Sequence, residues 1–342
     1  MVATRRAAFP VREHVIARRA TSLGLAILAL ASALMPVPSQ AQPAGRIPRI
    51  GFLSSTPSAI SEGLKAGLQE LHHVEGRTID IEWRWTQGKP ERSRELAAEL
   101  VRLKLDLIVV TSPRPSLDVK AATRTIPIVF VSAGDPVGLG LAASLARPGG
   151  NATGLAALAA EGFTSKMIEM LQAAAPRTSR VAVLLNPTNS EHRTIAGELP
   201  KAAEQLRLTL LPIEAQTADE LDKAFELAKR SRADGIVVAG DPLVYVHRDR
   251  IAQLAAMYRL PAIYFFAESV EAGGLMSYGP SLHDLGRRAA TYVDKLLKGA
   301  SPANLPVEQP TTFDLMINLK TAKDLGLTIP PAMLQRANRI IE

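Results

Sequence analysis

The chain has 342 residues, with 40 lysines and arginines against 33 aspartates and glutamates, six histidines and no cysteine. The lack of cysteine excludes a disulfide framework, a thiolate zinc site, a cysteine nucleophile and a lipid-modified cysteine. Residues 1–41 hold five arginines and one glutamate, so without them 35 basic residues face 32 acidic ones, and no nucleic-acid or membrane surface is expected.

The first segment is a leader. Arg5, Arg6, Arg12, Arg18 and Arg19 precede the apolar run "SLGLAILALASALM" and then "PVPSQA". A basic region, a short apolar region and a small-x-small site make a secretory signal peptide, with cleavage expected near Ala41 and the periplasm as destination. A membrane anchor would need roughly 20 apolar residues, more than this run supplies. Arg18-Arg19 leaves Sec and twin-arginine export both open. The remaining chain of about 300 residues suits two domains of about 150 each.

Short apolar, β-branched runs then recur: "RIGFL" (49–53), "TIDIEW" (78–83), "LDLIVV" (105–110), "IPIVFV" (126–131), "RVAVLL" (180–185), "LTLLPI" (208–213), "DGIVVA" (234–239) and "AIYFF" (262–266). Amphipathic stretches such as "ERSRELAAELVRLK" and "TADELDKAFELAKRS" lie between them, with apolar residues at three- and four-residue spacing. Strand alternating with helix, with near-continuous apolar strands, predicts parallel sheets covered on both faces. "LDLIVVTSPRP" and "IPIVFVSAGDPV" in the first half resemble "DGIVVAGDPLV" and "LPAIYFFAESV" in the second, which points to two lobes of similar design. A helix is expected over 281–299, followed by the proline-rich "ASPANLPVEQP" and a last strand and helix that return the chain to complete each lobe.

Within "DIEWRW", Ile79, Ile81, Trp83 and Trp85 share one face of a strand, and the tryptophans are expected to pack beneath a helix and not against a ligand. His72-His73 is read as a solvated helix end, and His192, His247 and His283 stand isolated, so no metal site is predicted. Gly138-Leu139-Gly140-Leu141-Ala142-Ala143 matches G-x-G-x-x-A, with Glu161 about twenty residues on, the spacing of a dinucleotide fingerprint. In such a site the first glycine follows the strand almost directly, whereas residues 132–137 separate Gly138 from its strand. The glycines are therefore read as packing a short helix closely, and no cofactor is expected. No H-E-x-x-H, G-x-S-x-G or P-loop lysine motif is present, so no enzyme constellation is visible.

Several segments together carry a resemblance: "IPIVFVSAGDPVGLGLAASLARPGGNATG", "RVAVLLNPTNSE", "GGLMSYGP", "LGRRAATYVDKLLKGASPANLPVEQPTTFDLMINLKTAKDLGLTIP" and "GLQELHHVEGRTIDIEWRWTQGKPERSRELAAELVRLKLDLIV". The chain resembles the substrate-binding proteins of ABC importers, tryptophan/tyrosine type, along its whole mature length. The resemblance implies the type I periplasmic-binding fold: two doubly wound α/β lobes joined by three crossovers and closing on a ligand. The expected lobes are 46–155 with 280–304, and 156–279 with 305–342, hinged near Gly154, Gly279 and Pro306. The loop "SSTPSAIS" after strand one lacks the family's aromatic-acidic-histidine pattern, so only recognition of a zwitterion is carried over, without an aromatic preference.

In parallel sheets a ligand sits beyond the carboxyl ends of the strands, where helix N-termini offer free N–H groups. The residues at those ends are Ser54, Ser55, Thr111, Ser112, Ser132 and Asp135 in the first lobe, and Asn186, Asp241 and Glu268 in the second. Hydroxyls with helix N-termini suit a carboxylate and acids suit an ammonium, which describes an amino acid or an amino-acid-like carboxylate. Each hydroxyl could equally be a helix N-cap, and Asp135 could simply build a turn. The expected function is periplasmic solute capture by hinge closure and delivery to an inner-membrane permease, by a monomer without cofactor, metal or catalysis. A ligand sensor for a signalling receptor and a nucleotide-dependent enzyme are the competing readings.

Overall fold

The computed structural model describes residues 46–342, apart from residue 133 and residues 157–161. The expected signal peptide and Glu161 lie outside the described residues. Strand β1 (Arg49–Ser54) begins a first sheet with β2 (Asp80–Trp85), β3 (Leu107–Thr111), β4 (Ile128–Val131) and β5 (Ala152–Leu155). They run parallel in the order β2-β1-β3-β4-β5. Between them lie helices α1 (Ala59–Glu70), α2 (Ser93–Arg102) and α3 (Pro113–Ala122). β3 and β4 are buried at every residue, as an apolar run covered by helices on both faces must be.

After α4 (Phe163–Ala174) come β6 (Arg180–Leu185), α5 (Ser190–Leu206), β7 (Thr209–Glu214), α6 (Ala218–Arg230), β8 (Gly235–Val238), α7 (Pro242–Val246), α8 (Arg248–Met257), β9 (Ala262–Tyr264), α9 (Glu268–Glu271) and β10 (Met276–Gly279). Then follow α10 (Leu282–Leu297), β11 (Asp314–Asn318), α11 (Leu319–Asp324), α12 (Pro331–Arg336) and β12 (Arg339–Ile341). The second sheet has the order β12-β11-β10-β9-β8-β6-β7, parallel except where β11 pairs antiparallel with β10. Pro212 lies on β7, at the sheet edge, where a residue without an N–H costs no ladder bond.

The chain passes between the sheets three times. β5 ends the first sheet and β6 opens the second; α10 leaves β10 and packs on α1 of the first lobe; β11 then rejoins β10. Gly154 and Gly279 lie in β5 and β10, and beyond Pro306 a bridge joins Glu308 to Leu155. The α1–α10 contact is backbone to backbone. A Cβ on Gly63 would overlap the His283 carbonyl and one on Gly286 would overlap that of Ile60, so the two helices can meet only as glycine.

The tryptophan strand lies away from the cleft: Trp83 and Trp85 stack at 5.6 Å, Phe52 lies 4.8 Å from Trp83, and the Lys65 ammonium of α1 sits over the Trp83 ring. Of the histidine pair, His72 is exposed as expected of a solvated helix end, and His73 is not. His72 takes a left-handed backbone, which turns His73 toward α10, where its Nε2 meets Asp294 Oδ1 at 2.9 Å. Gly138 and Gly140 open no helix either. Residues 136–140 form successive turns, with Leu141 and Ala142 N–H both donating to the Pro136 carbonyl. No helix among the described residues is long and apolar enough to cross a membrane.

Candidate functional site

A cavity of about 380 Å³ lies between the two sheets, beyond the carboxyl ends of β1, β3 and β4 on one side and of β6, β8 and β9 on the other. Of the nine residues read from the sequence, Ser55, Ser112, Ser132, Asp135 and Asp241 line it, and Ser54, Thr111, Asn186 and Glu268 do not.

Ser54 and Thr111 are buried beneath the first-lobe wall, where the Thr111 hydroxyl donates to Ser54 Oγ at 2.7 Å. Ser112 and Ser132 follow directly on β3 and β4, and both hold positive φ, at 71° and 57°. A left-handed backbone is uncommon outside glycine, and it recurs where a side chain must be aimed at a site. Ser112 opens α3, yet its hydroxyl makes no capping bond, which leaves it for the cavity. Asp135 builds a turn at the edge of the cavity, where its Oδ1 accepts the Val137 N–H at 3.0 Å.

In the second lobe Asp241 caps α7 by accepting the Leu243 N–H at 2.8 Å. The Asn186 and Asn189 side-chain amides also donate to it, at 3.2 and 2.9 Å. Asn186 thus supports Asp241 from behind. Its own backbone N–H donates to His192 Nδ1 at 2.7 Å, so the imidazole proton sits on Nε2 and donates to the Gly240 carbonyl at 3.0 Å. Burial lowers the His192 pKa, which keeps the ring neutral in this arrangement. Glu268 begins α9; burial raises its pKa, Oε2 has no partner among the described residues, and its charge is felt at Tyr245, which lines the cavity.

Sequence reasoning missed the other half of the site. Glu191, at the start of α5, has a pKa raised to about 7 by burial first, then by Asp241 and Asp135. Phe163, Phe265, Phe266 and Tyr245 form an aromatic wall; Phe265 meets Phe163 at 5.8 Å and Phe266 at 5.1 Å, both edge-on, and Tyr245 meets Phe266 at 5.2 Å. The signal available was positional: "NPTNSE" and the end of "AIYFF" lie at the carboxyl ends of strands, as the hydroxyls and acids do. The charged residues on the described lining are Asp135, Glu191, Glu198 and Asp241, with no lysine or arginine. The cavity therefore offers hydroxyls and one acid on the first-lobe side, three acids on the second-lobe side and an aromatic flank. The described residues contain no group of three or more potential ligands that could hold a metal ion.

Residues 54–341 match the family of ABC transporter substrate binding proteins. A tyrosine-binding protein of Clostridioides difficile is 24% identical over 266 residues, covering 78% of this chain and 76% of that one. The crystal structure of a domain from Streptococcus pneumoniae in complex with L-Trp aligns with a TM-score of 0.80 at 26% identity, covering 86% of this chain and all of the other. A conserved domain protein from Vibrio cholerae aligns with a TM-score of 0.81, also at 26% identity and over the same shares.

Proposed function

The chain belongs to the ABC transporter substrate-binding protein family, and from that premise we propose that it captures an amino acid with a large apolar side chain. The carrying observation is the cavity itself, which is walled by both lobes, acidic and without lysine or arginine among its described residues, and aromatic on one flank. Its volume falls in the range of small-ligand sites, about 300–1,000 Å³. In this reading the ligand carboxylate meets Ser55, Ser112 and Ser132. The ammonium lies toward Asp241 and Asp135, whose charges no basic side chain of the lining offsets. The side chain rests on Phe163, Phe265 and Tyr245. The names of the relatives support this assignment, since one binds tyrosine and another was crystallised with L-Trp. The aromatic surface comes from the second lobe, where it replaces what "SSTPSAIS" lacks.

Capture proceeds by hinge closure at the three connections between the sheets. Contacts to both walls exist only when the lobes are together, so the ligand stabilises that state by its differential affinity for it. The protein then hands its ligand to an inner-membrane permease, acting as a soluble monomer in the periplasm after signal cleavage near Ala41. Isothermal titration calorimetry against L-Trp, L-Tyr, L-Phe, L-Leu and L-Glu tests the ligand. A micromolar or modestly tighter constant, about −8 to −10 kcal/mol, is expected for the aromatic members. Silence across the panel, or tightest binding of L-Glu, refutes the assignment.

A further inference from the structure

Glu191 stands at the N-terminal end of the second-lobe helix α5, yet its carboxyl reaches the first lobe. Oε1 is buried and has no hydrogen-bond partner among the described residues, and it lies so close to Gly134 that a Cβ there would fall inside the carboxyl group. Gly134 belongs to the turn after β4 and holds φ at +68°, a conformation in which glycine is at ease. We propose that Glu191 is a cross-cleft latch: its carboxyl seats on Gly134, and this contact sets how firmly the two lobes close. The inference rests on the reading that the lobes open and close, and it is independent of which ligand they close on.

The latch holds as the neutral acid. The groups facing it are Asp135 from the turn on the first lobe and Asp241 from the start of α7, both acidic, with the Asp135 amide alone acting in the opposite sense. On its own helix the next residue is His192, kept neutral by burial, and Glu198 lines the same cavity two turns on. No lysine or arginine of the described lining offsets these charges. Seated, Glu191 keeps its proton up to about pH 7, whereas a carboxyl facing water has the ordinary value of 4.5.

The sign follows from linkage. Below about pH 4.5 both states carry the proton and closing costs nothing on this account. Between about 4.5 and 7 the open state releases a proton that the seated state keeps, so closure weakens as pH rises, by at most about tenfold per unit. Above about pH 7 both states are ionised and the effect is flat. A carboxylate with one oxygen buried and unpartnered, pressed between lobes beside two others, is what opposes closure there.

The test reads closure without ligand, so that it stands whether or not the amino-acid assignment does. Because the chain has no cysteine, the pair Glu95→Cys and Lys223→Cys, both on exposed positions of α2 and α6, can be labelled for energy transfer between the lobes. Transfer should report a rising closed fraction as pH falls from 8 to 5. Adding Glu191→Gln, which is neutral at every pH, should remove that dependence. Gly134→Ala should leave the lobes open at every pH, and Gly134→Ala with Glu191→Ala should close as Glu191→Ala alone does. An interlobe distance that ignores pH overturns the latch, and so does a Glu191→Gln profile matching the unsubstituted pair. A defect of Gly134→Ala that survives removal of Glu191 would assign it to backbone strain at positive φ and also overturn the seat. Circular dichroism checks each fold, and if Gly134→Ala fails to fold, the Glu191→Gln profile decides alone.

Discussion

Replacing Asp241 by alanine separates two roles that one side chain holds. As the cap of α7 it satisfies the Leu243 N–H, and loss of such a cap costs typically about 1 kcal/mol. The Asn186 and Asn189 amides lose their acceptor as well. Both residues are half-buried and within reach of water, so each should cost near the low end for a lost hydrogen bond, about 0.5 kcal/mol. Urea unfolding of Asp241→Ala should therefore show a loss of about 2 kcal/mol with an unchanged slope, which leaves a folded protein to titrate. Binding should suffer more: a hydrogen bond to a charged group is worth about 1.5–3 kcal/mol, a ten- to hundredfold weaker constant for the amino acid that binds best. Calorimetry on the folded variant decides. An affinity within twofold of the parent would show that Asp241 is a cap and nothing else, and the placement of the ammonium would have to be abandoned.

Phe265→Ala removes a half-buried ring that touches two others at the cavity. It should weaken L-Trp by roughly tenfold or more, and equal weakening of L-Ala by calorimetry would count against an aromatic side-chain pocket. Glu268→Gln removes an acid whose pKa burial raises. The parent's penalty is absent below the ordinary carboxylate value, grows as pH rises through the raised one and stays constant above it, so the variant should match the parent in urea at pH 4 and exceed it at pH 7. Its affinity should not change, since Glu268 does not line the cavity. Gly286→Ala forces a Cβ into the Ile60 carbonyl of α1 and should lower stability by about 1–3 kcal/mol, as overpacking does; thermal unfolding indistinguishable from the parent would refute the backbone contact.

The lobes were legible because their strands are buried on both faces and so read as continuous apolar runs, from "LIVVT" in β3 to "GIVV" in β8. β5, β10 and β12 are three or four residues long and carry glycine, serine or arginine, so their pairing comes from the neighbouring strand and leaves no period in the sequence. The site was legible to the level of strand ends. Which residue at an end turns inward was not, because Ser54 and Ser55, or Thr111 and Ser112, are chemically alike and differ only in local backbone. Ser112 takes a left-handed φ that no serine announces.

The stretch after β4 shows what a motif loses without its context. Gly138-Leu139-Gly140 has the letters of a nucleotide turn, but Pro136 and the Asp135 side chain fold it into successive turns, so no helix N-terminus exists there to receive a phosphate. The glycine with a task lies four residues earlier. Gly134 has no Cβ, and that absence admits a carboxyl from the opposite lobe. A carboxylic acid is suited to it where an amide would not be. Neutral, it packs, and ionised, it repels Asp135 and Asp241, so one residue can hold a cleft shut or help it open with the pH around it.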